Sequence, residues 1–497
     1  MKRKFWKRIF LGFAAFLILL FILVAHLIFH LARAYWNDRN EILPIPNGMA
    51  NDASRLDETN VAKIWKIPDD ETAAEKQFAD LLEYARANHL KISIAGARHS
   101  MGGHTIYPGG IVIDMLPFSR MELDATNLIL HVQAGARWSD VLEFLNKRGL
   151  SVEVMQSNDD FSVGGSISVN CHGWQFNHAP IACTVQSFRL MLANGKIVNC
   201  SRTDNSELFS LALGGYGLFG IILDVDLHVV PNEKYKIERL IIPTSDYTKV
   251  FAQKTADTND VAMVYGRLNI TPNNFLKDGT LNIFHRTTAT NFLVSSLGEA
   301  KYFELKRIVF RGSADSDYGK DLRWQAETMF DSYLSGNFFQ RNEILFDPAT
   351  MFQDHSQKTT DILVEYFVSP KEFEPFLEEL RKIVPANHGD LLNVTVRDVN
   401  KDTDTFLRYA DKNMLSLVML FSQTRDAAGE AQMSKMTQEM VAAVLRHEGK
   451  YYLPYRLHAT PEQFFEAYPQ AKKFFELKRK YDPSELFQNE FYLKYGK

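Results

Sequence analysis

Residues 93–104 read SIAGARHSMGGH. A short apolar strand runs into Gly96, then Arg98, His99 and Ser100, then two more glycines. Glycines at such a place let backbone N–H groups close in on a phosphate. The segment lacks the Gly-Lys-Ser/Thr of a P-loop, and it is not the Gly-x-Gly-x-x-Gly turn of dinucleotide-binding folds. By itself it leaves the ligand open.

The surrounding sequence narrows the choice. A second glycine- and serine-rich segment, FSVGGSISVNCHG, occupies residues 161–173. Both segments sit beside predicted strands: KISIAG before the first, LSVEVM (150–155) before the second. Apolar residues at helical spacing predict a helix over 71–90, and strands follow over 110–115 and 127–135. A further helix over 137–149 is closed by Gly149. Residues 185–201 form a hairpin around Asn194-Gly195, and residues 208–231 a glycine turn leading into an alternating strand that Pro231 stops. Two separated glycine loops in one domain, with hydroxyls and few fixed charges, suit an extended ligand carrying a pyrophosphate.

At 497 residues the chain is too long for one ordinary core. A net charge of −4, with no basic block beyond the N-terminus, argues against nucleic acid as the partner. The three cysteines form no Cys-x-x-Cys pair, so neither a metal site nor a disulfide framework is expected. The N-terminus differs from the rest. MKRKFWKR carries five basic residues and precedes an uncharged apolar run over residues 9–29. About 20 apolar residues let a helix cross a bilayer. The run exceeds the roughly 7–15-residue core of a signal peptide, although Ala-Arg-Ala at 32–34 has the look of a cleavage site. The expectation is a single-pass membrane anchor through residues 9–29, its basic flank cytoplasmic and the folded body extracytoplasmic.

Five motifs follow one another: GARHS, VQAGARWSDVLEFLNKRGL, DFSVGGSISVNCHG, LALGGYGLFGIILDVDLHVVP and a terminal YDPSELFQNEFY. In this order they resemble the FAD-linked oxidase family of the vanillyl-alcohol oxidase type, with its PCMH-type FAD-binding domain. The nearest branch is that of the alditol, aldonolactone and decaprenylphosphoryl-ribose oxidases. The resemblance is close over residues 57–231 and 451–497 and weak over 232–450. It implies an α+β protein: a linker (35–56) after the anchor (1–34), a two-subdomain PCMH-type FAD-binding domain (57–231), an α+β cap (232–450) and a C-terminal segment returning to the FAD site (451–497).

The resemblance also implies FAD as cofactor. Gly96, Ala97, Arg98, His99, Ser100 and Gly102 match the loop that wraps the pyrophosphate. In several members a histidine at the place of His99 is bonded covalently to the flavin, whereas others hold dissociable FAD; both remain open. From the second loop Ser162, Val163, Gly164, Gly165, Asn170, His172 and Gly173 carry over as cofactor contacts. Gly220, Ile221 and Ile222 carry over at the adenine end, and Asn489 near the cofactor. On the substrate side, LPYRLHAT lacks the lysine of relatives, so Tyr455, Arg456 and His458 are the catalytic candidates; arginine cannot accept the proton. Arg397 in NVTVRDVN is the substrate-facing candidate of the cap, with a threonine where relatives carry glutamate. LVMLFSQ lacks a histidine found in alditol oxidase.

The expected activity is FAD-dependent oxidation of a CH–OH donor. That donor is a sugar, polyol, lactone or lipid-linked sugar, with electrons passed to oxygen or a membrane acceptor. A flavin-dependent reductase of a lipid or sterol double bond using NAD(P)H, and a non-catalytic membrane flavoprotein, are the alternatives.

Overall fold

The computed structural model describes residues 2–288, 297–298, 303–329 and 337–497. A single helix, Lys2–Asp38, opens the chain. An 18-residue window within Arg8–Asp38 has a mean hydropathy of 2.8, and none of it is buried in the protein. By length and composition this helix can cross a membrane, since each residue adds about 1.5 Å of rise.

The expected linker is not free chain. Met49–Ala50 pairs with Thr59–Asn60, and the buried Asp52 accepts from the Gly103 N–H at 2.9 Å. Arg55 donates to the Ser356 and Thr359 carbonyls at 2.9 and 2.6 Å. These polar residues are held because their partners lie in the cap and the first loop, which local sequence cannot show.

Helix Glu71–Ala87 starts at Asp70, whose carboxylate accepts from the Ala73 N–H at 2.9 Å. It buries Ala74, Phe78, Leu81, Leu82 and Ala85, a stripe at helical spacing. That stripe packs over a parallel sheet of Lys63–Lys66, Ile111–Asp114 and Ile92–Ala95. The C-terminal segment lies along its edge: the Ile92 N–H donates to the Leu486 carbonyl at 2.8 Å, and the Gln488 N–H to the Ile92 carbonyl at 2.9 Å.

A second, antiparallel sheet runs in the order Ile197–Ser201, Val185–Met191, Ile221–Pro231, Ile129–Gln133, Met121–Asp124, with Leu150–Val152 also paired to Ile221–Pro231. The Asn194-Gly195 hairpin forms as expected, with Gly195 at φ +85. The second glycine segment is not wholly loop, because Val163–Ser168 winds into a short helix.

Residues beyond 232 build an eight-stranded sheet. Its order is Phe338–Gln340, Lys234–Pro243, Asp278–Arg286, Val261–Leu268, Asp390–Val399, Met414–Thr424, Thr359–Val368, Lys450–Tyr451. Helices cover one face: Phe376, on helix Phe373–Ala386, stacks edge-on against Tyr366 at 5.7 Å. Successive strand residues point to opposite faces. Glu365 and its same-parity neighbours therefore face the other way, towards the glycine loops.

Candidate active site

The two glycine loops touch. The Ala97 N–H donates to Ser162 Oγ at 3.3 Å, and a Cβ at Gly96 would overlap the Ser162 side chain. Gly164 is equally constrained, since a Cβ there would stand 2.7 Å from Ala134 Cβ. The absence of side chains at 96 and 164 is what lets loop, short helix and strand end converge.

Above this contact lies a cavity of about 530 Å³. Gly96, Ala97, Arg98, His99 and Ser100 line it from the first loop, and Ser162, Gly164, Gly165 and His172 from the second. Gly220 and Ile222 also reach it. The remaining cofactor candidates stand behind the lining. Val163 and Ile221 are core residues. A Cβ at Gly102 would overlap the Tyr455 carbonyl, and one at Gly173 the Met155 carbonyl, so both glycines permit close backbone packing. Asn170 (φ +51) donates to Asp402 at 2.9 Å and accepts from the Ala182 N–H at 3.1 Å. Asn489 caps the last helix and donates to the carbonyls of His104 and Tyr216, both 2.9 Å away, so it fixes two lining residues without being one.

The lining fits an FAD diphosphate and its flanking groups. Ser100 Oγ, Thr105 Oγ1, Arg98 Nε and both ring nitrogens of His104 are buried on the cavity with no hydrogen-bond partner among the described residues. Arg98 reaches Asp114 only at 3.8 Å. Buried donors and acceptors of this kind are normally satisfied, and a phosphate- and ribose-bearing ligand would satisfy them. Burial pushes the His104 pKa down to about 4, which leaves a neutral ring there. His99 stacks on Phe161 with ring centroids 3.9 Å apart, and its Nε2 is 3.8 Å from Asp160. Burial lowers its pKa, with Asp160 pulling the other way.

The cap supplies the opposite wall as one sheet face read every second residue. Across the sheet the register aligns Glu365, Val418, Thr395 and Arg267 in one row. Leu363, Leu420 and Asn393 form the next row, and all seven line the cavity. Arg397 lies in the row on the other side of the Glu365 row, opposite Ser416 and Tyr265. It donates to the His172 carbonyl at 3.1 Å and to Ser157 Oγ at 2.8 Å, and its Nε has no partner. Glu365 Oε1 is 2.6 Å from His172 Nε2, both residues being buried. Burial disfavours the Glu365 carboxylate, but His172 and then Arg397 more than offset this and hold its pKa below the usual value. The Tyr455 hydroxyl donates to Glu365 Oε2 at 3.4 Å. Burial, then Glu365, raise the Tyr455 pKa well above normal, so it stays a phenol.

The four catalytic candidates divide. Arg397 and Tyr455 line the cavity; Arg456 and His458 do not. Arg456 pairs with Asp57 at 2.6 Å and with Glu430 at 2.5 Å, and His458 Nε2 lies 2.9 Å from the same Glu430. These two residues tie the C-terminal segment to the cap and to the first domain, outside the cavity lining. Burial opposes the Glu430 charge, but His458 and Arg456 bring its pKa from 4.5 to about 2. A carboxylate held more acidic in the fold than in the unfolded chain contributes stability that is full above pH 4.5 and lost as pH falls toward about 2. Glu430→Gln should therefore lower Tm at pH 7 and narrow its gap from wild type progressively below pH 4, as thermal melts across pH would record.

Glu365 was not among the sequence candidates, nor were Arg267, Trp174 and His104. One signal was present: Glu365 is the only acid in the apolar run ILVEYFV, and a charge inside a strand that otherwise reads as core is seldom idle.

Residues 71–201 match the family model described as FAD binding domain, and residues 318–495 the model described as D-arabinono-1,4-lactone oxidase. An uncharacterized oxidoreductase of the fasciation locus of Rhodococcoides fascians is 26% identical over 308 residues, covering 59% of this chain and 67% of that protein. Cytokinin dehydrogenase 7 of Oryza sativa subsp. japonica is 30% identical over 171 residues, 33% of this chain and 32% of its own. L-gulonolactone oxidase of Bos taurus is 29% identical over 158 residues, 32% and 36% of the two chains. The matches to the last two span about a third of their lengths. Fold and site together define a flavoprotein with FAD as cofactor. The two matched segments and these relatives liken the chain to the FAD-linked oxidase family with a PCMH-type FAD-binding domain, near the aldonolactone oxidases.

Proposed function

We propose that the protein is a membrane-anchored FAD-dependent oxidoreductase that oxidises the CH–OH group of a sugar, polyol, lactone or lipid-linked sugar. Electrons then pass to oxygen or to an acceptor in the membrane. The observation that carries this reading is the buried His172–Glu365 pair. It stands with Arg397 and Tyr455 on the same cavity as the loops that fit FAD.

Bound FAD would supply the electron sink, a place for the hydrogen of the donor carbon to go together with its electron pair. The protein has to hold the alcohol and take its proton. Glu365 accepts from His172 Nε2, which assigns the imidazole proton to that atom and leaves Nδ1, buried and without a partner, as the base. Arg397, with its Nε unused, is the donor that orients a donor oxygen. The test is anaerobic bleaching of the flavin by a panel of sugars, polyols and lactones including L-gulono-1,4-lactone. Bleaching by NAD(P)H and by no member of the panel would instead favour the reductase reading, and bleaching by neither a protein without redox activity.

We assign the anchor to residues 9–29, with the basic flank in the cytoplasm and the body on the other side. Full-length protein should remain with membranes through a carbonate wash, and a mature chain beginning at Tyr35 would identify a signal peptide instead.

We also read His99 as a covalent tether. Its lowered pKa keeps the imidazole neutral and hence nucleophilic, and its stack on Phe161 fixes the ring beside the cavity. After acid precipitation flavin fluorescence should stay with the polypeptide, and His99→Ala should release it. Complete recovery of FAD in the acid supernatant of wild-type protein would refute the tether and leave the cofactor site standing.

A further inference from the structure

The apolar window of the N-terminal helix is wholly exposed, but the last turns of that helix are docked on the cap. His30, Ala34 and Asp38 stand four residues apart and so share one face. His30 and Ala34 are buried, and the Asp38 side chain is 10% exposed. His30 fills a notch: a Cβ at Gly312 would stand 2.9 Å from its Nε2, and one at Gly319 3.0 Å from it. Tyr318 closes the notch edge-on, with ring centroids 5.0 Å apart.

Asp38 meets two buried arginines of helix Phe303–Arg311. It pairs with Arg307 at 2.7 Å, lies 3.9 Å from Arg311, and accepts from the His355 N–H at 3.3 Å. Arg307 in turn donates to the carbonyls of Thr350 and Gln353, each at 2.6 Å, and Arg311 to that of Phe352 at 3.1 Å. All three of these carbonyl residues line the cavity. Arg311 also holds Asp361 at 2.5 Å and Asp354 at 3.3 Å, two further lining residues. Asp361 stands four residues before Glu365 on strand Thr359–Val368, and therefore on the same face.

Beyond the short turn Ala349–Met351, this part of the lining has no helix or strand of its own. Guanidinium donors hold its carbonyls in place of a strand ladder. A buried cation is costly unless it is paired. Asp38 is the carboxylate that pairs with Arg307, whose other acceptors are carbonyls.

We propose that Asp38 is a positioning residue. Through Arg307 and Arg311, the end of the N-terminal helix sets the cavity wall at residues 350–354 and 361. The helix is then part of the donor site as well as an anchor. The inference rests on the proposed function for what the cavity binds, and not for the clamp itself. His172, Glu365 and Arg397 lie outside this stretch of wall, so the clamp governs how the donor fits and not the proton step.

The test uses full-length, flavin-loaded protein in phosphatidylethanolamine/phosphatidylglycerol vesicles, read by hydrogen exchange with peptide mapping. In wild type, peptides covering 30–38 and 346–358 should lose protection together as urea is raised, as one cooperative unit does. In Asp38→Asn, exchange over 346–358 should rise about tenfold or more, while strand Ile129–Gln133 stays unchanged. Asp38→Glu should recover most of the protection, and Trp36→Ala, at an exposed position on the same helix, should change nothing. The kinetic probe is L-gulono-1,4-lactone, or whichever member of the panel bleaches wild type. With it, Asp38→Asn should raise the apparent KM about fivefold or more and keep the bleaching rate at saturation within about twofold. Unchanged exchange over 346–358 in Asp38→Asn would overturn the clamp. Faster exchange with an unchanged KM would reduce Asp38 to a structural contact and overturn its positioning role. If Asp38→Asn yields no flavin-loaded protein, wild type decides alone: protection over 346–358 that outlasts the opening of 30–38 overturns the clamp. The expected exchange in a protein that no sugar, polyol or lactone bleaches would leave the clamp standing and sink the proposed function.

Discussion

Glu365→Gln should slow anaerobic flavin reduction by about 10²- to 10⁴-fold, the range lost when a positioned general base is disabled. The amide keeps the shape of the carboxylate and removes its charge. Glu365 is ionised in the fold because His172 and Arg397 outweigh its burial. That charge pins the proton on His172 Nε2, 2.6 Å away, and stabilises the imidazolium formed when Nδ1 takes the alcohol proton. With glutamine the ring is free to adopt either tautomer and the cation loses its counter-charge. A neutral imidazole still hydrogen-bonds to an amide, so flavin content should hold, while Tm at pH 7 should fall, because a carboxylate held below its usual pKa contributes stability that the amide lacks. The measurement is stopped-flow bleaching with the sugar or lactone that bleaches wild type. A rate within threefold of wild type, in protein with full flavin, would remove Glu365 and His172 from the chemistry. Arg456→Ala, by contrast, should cost stability and spare the rate per bound flavin, because its charged partners, Asp57 and Glu430, lie outside the cavity.

Gly96→Ala should weaken FAD binding by about five- to 140-fold. The new methyl would overlap Ser162 where the two loops meet. Overpacking costs on the order of 1–3 kcal/mol, and each 1.4 kcal/mol is tenfold in affinity. The strain falls on Ala97 and Ser162, whose own contact closes the loops, and so on the ligand they would share. Ser162→Gly added to Gly96→Ala should restore part of the binding, because it removes the atoms the methyl strikes. If the tether at His99 forms, the loss appears as a reduced flavin-to-protein ratio instead of a dissociation constant. An unchanged ratio in Gly96→Ala would mean that the loops are not where FAD is held.

What the sequence by itself determined is what short stretches determine. The N-terminal helix is legible because about 20 uncharged residues in a row admit few other structures. The glycine loops, the Asn194-Gly195 hairpin and the helix begun at Asp70 rest on residues within a few positions of one another. The five motifs in order were enough to point to FAD. The polar stretch around Asp52 and Arg55 is docked by partners, Gly103, Ser356 and Thr359, that lie about 50 and 300 residues away, beyond the reach of any local pattern.

Only the tertiary structure decided which polar side chains meet. His172 and Glu365 are 193 residues apart, and Arg397 reaches His172 from a third segment. Their meeting depends on the register of strands Thr359–Val368, Met414–Thr424 and Asp390–Val399. A shift of one residue would turn Glu365 and Arg397 to the helix-covered face. LPYRLHAT offers Tyr455, Arg456 and His458 within four residues, without showing which of them faces the cavity. The fold turns Tyr455 to the cavity, and Arg456 and His458 to Glu430 on helix Ala427–Arg446. Residue type advertised a possible chemistry at each position; long-range strand pairing and ion pairing settled which groups share one cavity.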